Sequence, residues 1–130
     1  MQSLPYIVVG AVVSILLYLQ LRAAFGGRVK QGTPAPDLTP VLEDGIDLDR
    51  PLLLFFYSRH CGHCQTMAPM IDLLVARFGN VLKLDVERHP TVARQCGVGA
   101  TPTVVLVRAG CICKVLVGRR SERQLERLLV

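Results

Sequence analysis

Hydrophobic and polar positions divide the chain into a long apolar run, a polar middle and an alternating α/β pattern. From Leu4 to Leu21 eighteen residues carry no charge. As a helix rising about 1.5 Å per residue they cover roughly 27 Å, near the hydrocarbon thickness of a bilayer. Tyr6 and Tyr18 stand near the ends of the run, where amphipathic rings favour the membrane–water boundary. A core helix apolar on every face needs cover on every side, which so short a chain does not supply. A cleaved signal segment fits poorly as well. No Lys or Arg precedes the run, the apolar stretch exceeds the usual signal core, and Leu21-Arg22-Ala23 is not a small-x-small site. The pattern predicts a retained transmembrane helix within residues 1–25.

Residues 26–50 read as a juxtamembrane linker and a short polar segment. Gly26-Gly27 and Gln31-Gly32-Thr33-Pro34-Ala35-Pro36 are linker-like, and Glu43, Asp44, Asp47 and Asp49 surround Gly45. One short extended stretch is expected near Thr39–Leu42. From Pro51 the periodicities are clear. Leu52–Tyr57 is a continuous apolar run, as in a strand buried on both faces. An amphipathic helix follows from about His63 to Phe78, with Met67, Met70, Ile71, Leu74 and Phe78 as its stripe, Pro69 as a kink and Gly79-Asn80 as its stop. Val81–Val86 is a second strand, so a right-handed βαβ unit is expected. Pro90 to about Cys96 suggests a short helix. Thr103–Arg108 and Cys111–Val117 form a hairpin around Ala109-Gly110, and Ser121 caps a last helix carrying Leu125, Leu128 and Leu129. The expected order from residue 51 is βα–β–α–ββα.

Composition changes this picture little. The chain of 130 residues is 51% hydrophobic, much of it in the first run. Three of the 15 cations and none of the 10 acids lie in residues 1–30 (Arg22, Arg28, Lys30), so most of the net charge of +5 is juxtamembrane. There it can meet anionic headgroups. The rest is nearly balanced and has no basic cluster interleaved with aromatics, which argues against nucleic-acid binding.

The candidate chemistry is Cys61-Gly62-His63-Cys64. A C-x-x-C pair also occurs in zinc sites, but a structural zinc needs a second pair of ligands. The remaining cysteines, Cys96, Cys111 and Cys113, supply no matching C-x-x-C, so no metal is expected. Placed between a buried strand and a helix, Cys61 meets the unpaired N–H groups and positive dipole end that stabilise a thiolate. Cys61 is therefore the expected nucleophile, and Cys64, one turn on, the resolving thiol. Gly62 keeps the turn tight. His63 favours the thiolate by charge or hydrogen bonding. A better-stabilised thiolate makes the pair more oxidising.

These residues, with Pro69 five positions after Cys64, Thr101-Pro102-Thr103 and Gly118, resemble the thioredoxin family over residues 51–130. The resemblance implies a thioredoxin-like fold, a mixed central sheet flanked by helices, here preceded by one transmembrane helix. It implies a cis Thr101-Pro102 bond beside the dithiol and substrate contacts at Thr101, Pro102, Gly118 and His60. It also implies protein dithiol or disulfide substrates and no cofactor beyond the Cys61–Cys64 pair itself. The Gly-His dipeptide is similar to that of protein disulfide isomerase. The chain departs from the family pattern at His60, where Trp is usual, and at Phe55, where many members bury an acid. Lys83, which usually faces that acid, is expected to lack its partner, leaving water, Lys83 or a histidine to move the Cys64 proton.

Cys96 is expected near the active-site face as a packed thiol. Cys111 and Cys113, two apart on one strand, have Cα atoms roughly 6.6 Å apart and parallel Cβ vectors, poor for a disulfide, and are expected to be packed too. Family resemblance suggests that the domain is exported. That is the favoured orientation; the cations following the apolar run, and three cysteines without obvious partners in the sequence, make the cytoplasmic side the alternative. The expected activity is thiol–disulfide exchange with protein substrates. Alternatives are a membrane-tethered reductant for cytochrome or copper-site assembly, and a non-catalytic peptide-binding module using the Pro102 groove.

Overall fold

The computed structural model describes residues 1–25 and 32–130. Leu4–Phe25 form one helix, α1. Its Leu4–Arg22 stretch has a mean hydropathy of 2.1 and buries nothing against the rest of the chain. By length and composition it is a candidate membrane span, a description that a signal sequence also meets. The linker residues 26–31 lie outside the described residues.

The fold is built on β1 (Leu52–Tyr57), in which all residues but the last are buried. Side chains alternate across a strand, so such a run needs cover on both faces. Leu53 and Phe55 meet Cys64, Met67, Ile71 and Leu74 of α2 (Gly62–Phe78) and Leu125 and Leu129 of α4 (Glu122–Leu129). Leu52, Leu54 and Phe56 pack on the other face against Val92, Ala93 and Cys96, at and beyond α3 (Pro90–Gln95). Parallel β2 (Val81–Asp85) flanks β1 on one side; β3 (Thr103–Arg108) and then β4 (Cys111–Val117), both antiparallel, follow on the other, in the order β2-β1-β3-β4. This is the mixed α/β sheet of a thioredoxin-like fold.

Helix α2 runs unbroken through Pro69 and ends where expected. Gly79 adopts a left-handed φ of 73° and donates its N–H to Val75 O at 2.9 Å, the geometry that glycine supplies at a helix C-terminus. The β3–β4 turn places Ala109 at φ 49° and Gly110 at φ 75°, the positive pair that a tight hairpin requires.

Four expectations are corrected. Thr39–Val41 is a 3-10 turn rather than an extended segment. Pro40 fixes a helical φ, and the Asp37 carboxylate accepts the Thr39 N–H at 2.9 Å. Residues 32–42 are also more than a linker. Leu38 and Val41 are buried in the core, and the 32–35 segment pairs with β4 through Gly32 N to Ile112 O, 2.7 Å, and Ile112 N to Thr33 O, 2.9 Å. Finally, Cys111 and Cys113 are exposed, not packed. The register shifts from Leu106–Lys114 to Val107–Ile112, which leaves Cys113 as a bulge residue, while Ile112 takes the buried position between the two cysteines. Cys96 is fully buried, but against the face of the sheet opposite α2 rather than near the dithiol.

Asn80 ties the acidic segment to this frame. It is 1% exposed. Its side chain accepts the Asp47 N–H at 2.8 Å and donates to Asp47 O at 2.9 Å and Pro51 O at 2.8 Å. Asn80→Ala is expected to lower unfolding stability by about 2–3 kcal/mol in urea denaturation, because buried backbone groups lose their partners. A loss under about 0.5 kcal/mol, the range of ordinary surface changes, would show that water replaces them.

Candidate active site

Sheet and helix meet at the turn Ser58-Arg59-His60-Cys61. The Cys61 N–H donates to Ser58 O at 3.2 Å, and the His60 N–H to the Ser58 hydroxyl at 3.4 Å. Cys61 is the N-cap of α2, with extended φ/ψ of −92° and 111°. Its sulfur takes the place of the usual capping oxygen and accepts the Cys64 N–H at 3.3 Å. Gly62 and His63 form the exposed first turn, Cys61 is half-buried, and Cys64 faces the core at 2% exposure.

These environments separate the two thiols. Burial alone raises the pKa of Cys61, but hydrogen bonds from the Cys64 thiol, the Thr101 hydroxyl and the N–H groups of Cys64 and His63 outweigh it and hold Cys61 below the ordinary thiol value. Cys64 is pushed up, first by burial and then by its hydrogen bond to Cys61 and the charge there; Ser58 N–H and the Thr101 hydroxyl oppose this only in part. The His63 N–H is one of the donors to Cys61, and the His63 side chain is exposed.

The loop before β3 completes the site. Thr101–Pro102 is a cis peptide, and Pro102 is buried. Gly118, at φ 94°, donates its N–H to Pro102 O at 2.8 Å, so the end of β4 holds the proline loop in place. A side chain at Gly118 would meet nothing within 4 Å, but that φ disfavours any L-residue other than glycine. Thr101 thus reaches the dithiol, Gly118 holds the loop through Pro102, and His60, next to Cys61, is exposed.

Lys83 is not partnerless. Phe55 pairs in register with Lys83, and Lys83 Nζ reaches the Asp72 carboxylate on α2 at 2.7 Å. Its carboxylate partner thus comes from the helix. Both partners are solvent-exposed, so the pair contributes at most about 1 kcal/mol. Lys83 also lines a cavity of about 300 Å³ that reaches Cys64, together with Phe55, Ser58, Arg59 and Gln65.

Sequence reasoning missed three contributors: Ser58, Arg59 and Asp85. Ser58 donates to the Cys64 sulfur through its N–H. Asp85, 4% exposed, holds Arg59 at 3.4 Å and accepts the Glu87 N–H at 2.9 Å, bracing the turn before Cys61. An isolated Asp at a strand end gives no sequence signal of a partner 26 positions away. Among the described residues no group of three or more His, Cys, Asp or Glu side chains is arranged to hold a metal ion.

Comparison with known proteins agrees with this geometry. The thioredoxin family model matches residues 42–130. The chain is 32% identical over 87 residues to a thioredoxin of Alicyclobacillus acidocaldarius, an alignment that covers 65% of this chain and 83% of that protein. Its structure resembles a mutant thioredoxin from Halobacterium salinarum at TM-score 0.58 and 32% identity, covering 62% of this chain and 73% of that one. Mitochondrial thioredoxin 3 of Saccharomyces cerevisiae matches at TM-score 0.55 and 31% identity, over 62% and 77% of the two chains. Family match, fold and the paired thiols at a helix N-terminus lead to one conclusion: the chain belongs to the thioredoxin family of thiol–disulfide oxidoreductases.

Proposed function

We propose that this chain exchanges disulfides with protein substrates from a membrane-tethered position, with Cys61 attacking and Cys64 resolving. The observation that carries the reading is the opposite displacement of the two thiols within one helical turn. In the reducing direction, the Cys61 thiolate attacks a substrate disulfide, an S–S bond to Cys61 forms, and the first substrate thiolate leaves. Cys64 then gives up its proton, attacks the Cys61 sulfur and expels the second substrate thiolate. Two electrons pass to the substrate and Cys61–Cys64 ends as a disulfide; the reverse sequence oxidises a dithiol. The half-buried backbone at Thr101 offers hydrogen bonds to an extended substrate strand, with His60 on the rim.

Phe55 in place of a buried acid, together with the Gly-His dipeptide, supports oxidising or isomerising work over fast reduction. Redox titration is expected to give a potential near about −180 mV rather than about −270 mV. Cys61→Ser is expected to drop exchange to the uncatalysed background, and Cys64→Ser to accumulate the mixed disulfide. A Cys61→Ser variant that still turns over would remove the nucleophile assignment.

Proton transfer from Cys64 runs through the adjoining cavity, where Lys83, held by Asp72, is the ionisable side chain nearest the role. Lowering the pH through the Cys61 value protonates the nucleophile, so exchange slows as pH falls. Iodoacetamide alkylation of Cys61 should therefore show a midpoint below the roughly 8.5 of a free cysteine, with Cys64 still unreactive there. Lys83→Gln should keep that alkylation profile and slow resolution of the mixed disulfide by up to about 10²-fold. An unchanged resolution rate would exclude Lys83 from the step.

The cations Arg22, Arg28 and Lys30 directly after the candidate span favour the cytoplasmic face over the exported one that the family resemblance suggests. Exposed Cys111 and Cys113 favour it too, since a reducing compartment keeps such thiols unpaired. A phosphatase that functions only after export, fused to the C-terminus, is expected to stay inactive; activity would put the domain on the exported side.

A further inference from the structure

Between the edge strand β4 and helix α4 lies a cavity of about 240 Å³, lined by Lys114, Leu116, Arg120, Gln124, Arg127 and Leu128. Three of these side chains are cations, one is an amide and none is a carboxylate. The acids of α4 are engaged elsewhere: Glu122 and Glu126 both pair with Arg77 on α2. Among the described residues no carboxylate lies within ion-pair distance of Lys114, Arg120 or Arg127.

Arg120 is the focus of the cavity. Its Nη2 donates to Val117 O at 3.0 Å, which fixes the guanidinium, while its Nε is buried with no acceptor among the described residues. Native structures rarely leave a buried donor unsatisfied, because its desolvation is then uncompensated. The planar guanidinium fork matches a tetrahedral oxyanion, and converging cations favour a group carrying nearly two charges over a single carboxylate. The frame is rigid. Lys114 and Leu116 sit in the β3–β4 ladder opposite Leu106 and Val104, and the reciprocal Ser121–Gln124 capping box anchors the start of α4 just after Arg120.

We propose that this cavity binds a phosphate group, with Arg120 as its directional donor and Lys114 and Arg127 neutralising its charge. Lys114 stands two residues from Ile112, whose backbone is hydrogen-bonded to Gly32 and Thr33, the described residues that follow the candidate span in the chain. A bilayer phosphate headgroup is therefore one source, resting on the membrane-tethered reading, and a soluble phosphate ester is the other.

The test uses the full isotope-labelled chain in phosphatidylcholine nanodiscs and follows the Arg120 Nε–H resonance by NMR. Inorganic phosphate is expected to shift it saturably. Lys114→Gln and Arg127→Gln should each weaken binding about tenfold, the worth of one charge-assisted contact, with the amide resonances of β1 unchanged as a check of folding. In the second arm phosphatidic acid replaces part of the phosphatidylcholine. A shift without added phosphate assigns the lipid headgroup, and a shift only with added phosphate assigns a soluble ester. If α1 does not hold the chain in a bilayer, the phosphate arm runs on the chain in solution, so failure of the tether is distinct from failure of the site. No saturable shift in either arm, or binding that survives the Lys114→Gln/Arg127→Gln double variant, overturns the proposal.

Discussion

The structure depends on burying β1 from both sides. Five consecutive apolar side chains with almost no exposure, Leu52 to Phe56, demand a helix layer on each face, and each contributes roughly 1.5–3 kcal/mol when removed from water. That demand positions α2 and α4 on one face and the α3 region on the other. It also fixes where the strand must end. At Tyr57 and Ser58 the chain leaves the sheet and turns over its edge, and the first residue able to begin α2 is Cys61. The Cys61 sulfur is placed by the packing of a strand that contains neither cysteine of the pair.

From that placement the division of labour between the thiols follows. One helix end presents N–H groups to Cys61 and turns Cys64 inward. A single geometric device thus favours the thiolate at the outer position and the thiol at the inner one. The proline loop adds to both. Thr101 reaches the two sulfurs, and the loop is held by Gly118 at the far end of the β3–β4 hairpin. Two segments remote in sequence, residues 58–64 and the loop at Thr101, therefore act on the same pair of atoms, and Gly118 holds the second in place.

Much of this was legible in the chain itself. The apolar run Leu52–Tyr57, the stripe of α2, Gly79 as its stop and Ser121 as a cap all express local chemistry, and each element formed within a residue or two of its expected bounds. The dithiol was legible because its two members lie within one helical turn. What could not be read were pairings across the sheet. Lys83 found Asp72 because register and helix packing brought them together across 11 positions. Arg59 found Asp85 in the same way. The bulge at Cys113 depends on how β4 registers against β3, and with it the exposure of two cysteines that alternation alone would have hidden.

The sequence by itself thus determined the elements, the cysteine pair at the start of α2 and the apolar helix at the start of the chain, because those properties reside in a few neighbouring residues and their periodicity. The tertiary structure decided which acid serves Lys83, how the proline loop reaches both sulfurs, that residues 32–42 belong to the core, and that Lys114, Arg120 and Arg127 share one cavity. Each of these is a contact between segments whose separation along the chain carries no information about their distance in space. Only the closing of the sheet and the docking of α2 and α4 upon it bring those groups within hydrogen-bonding reach, where electrostatic interaction is strong enough to matter.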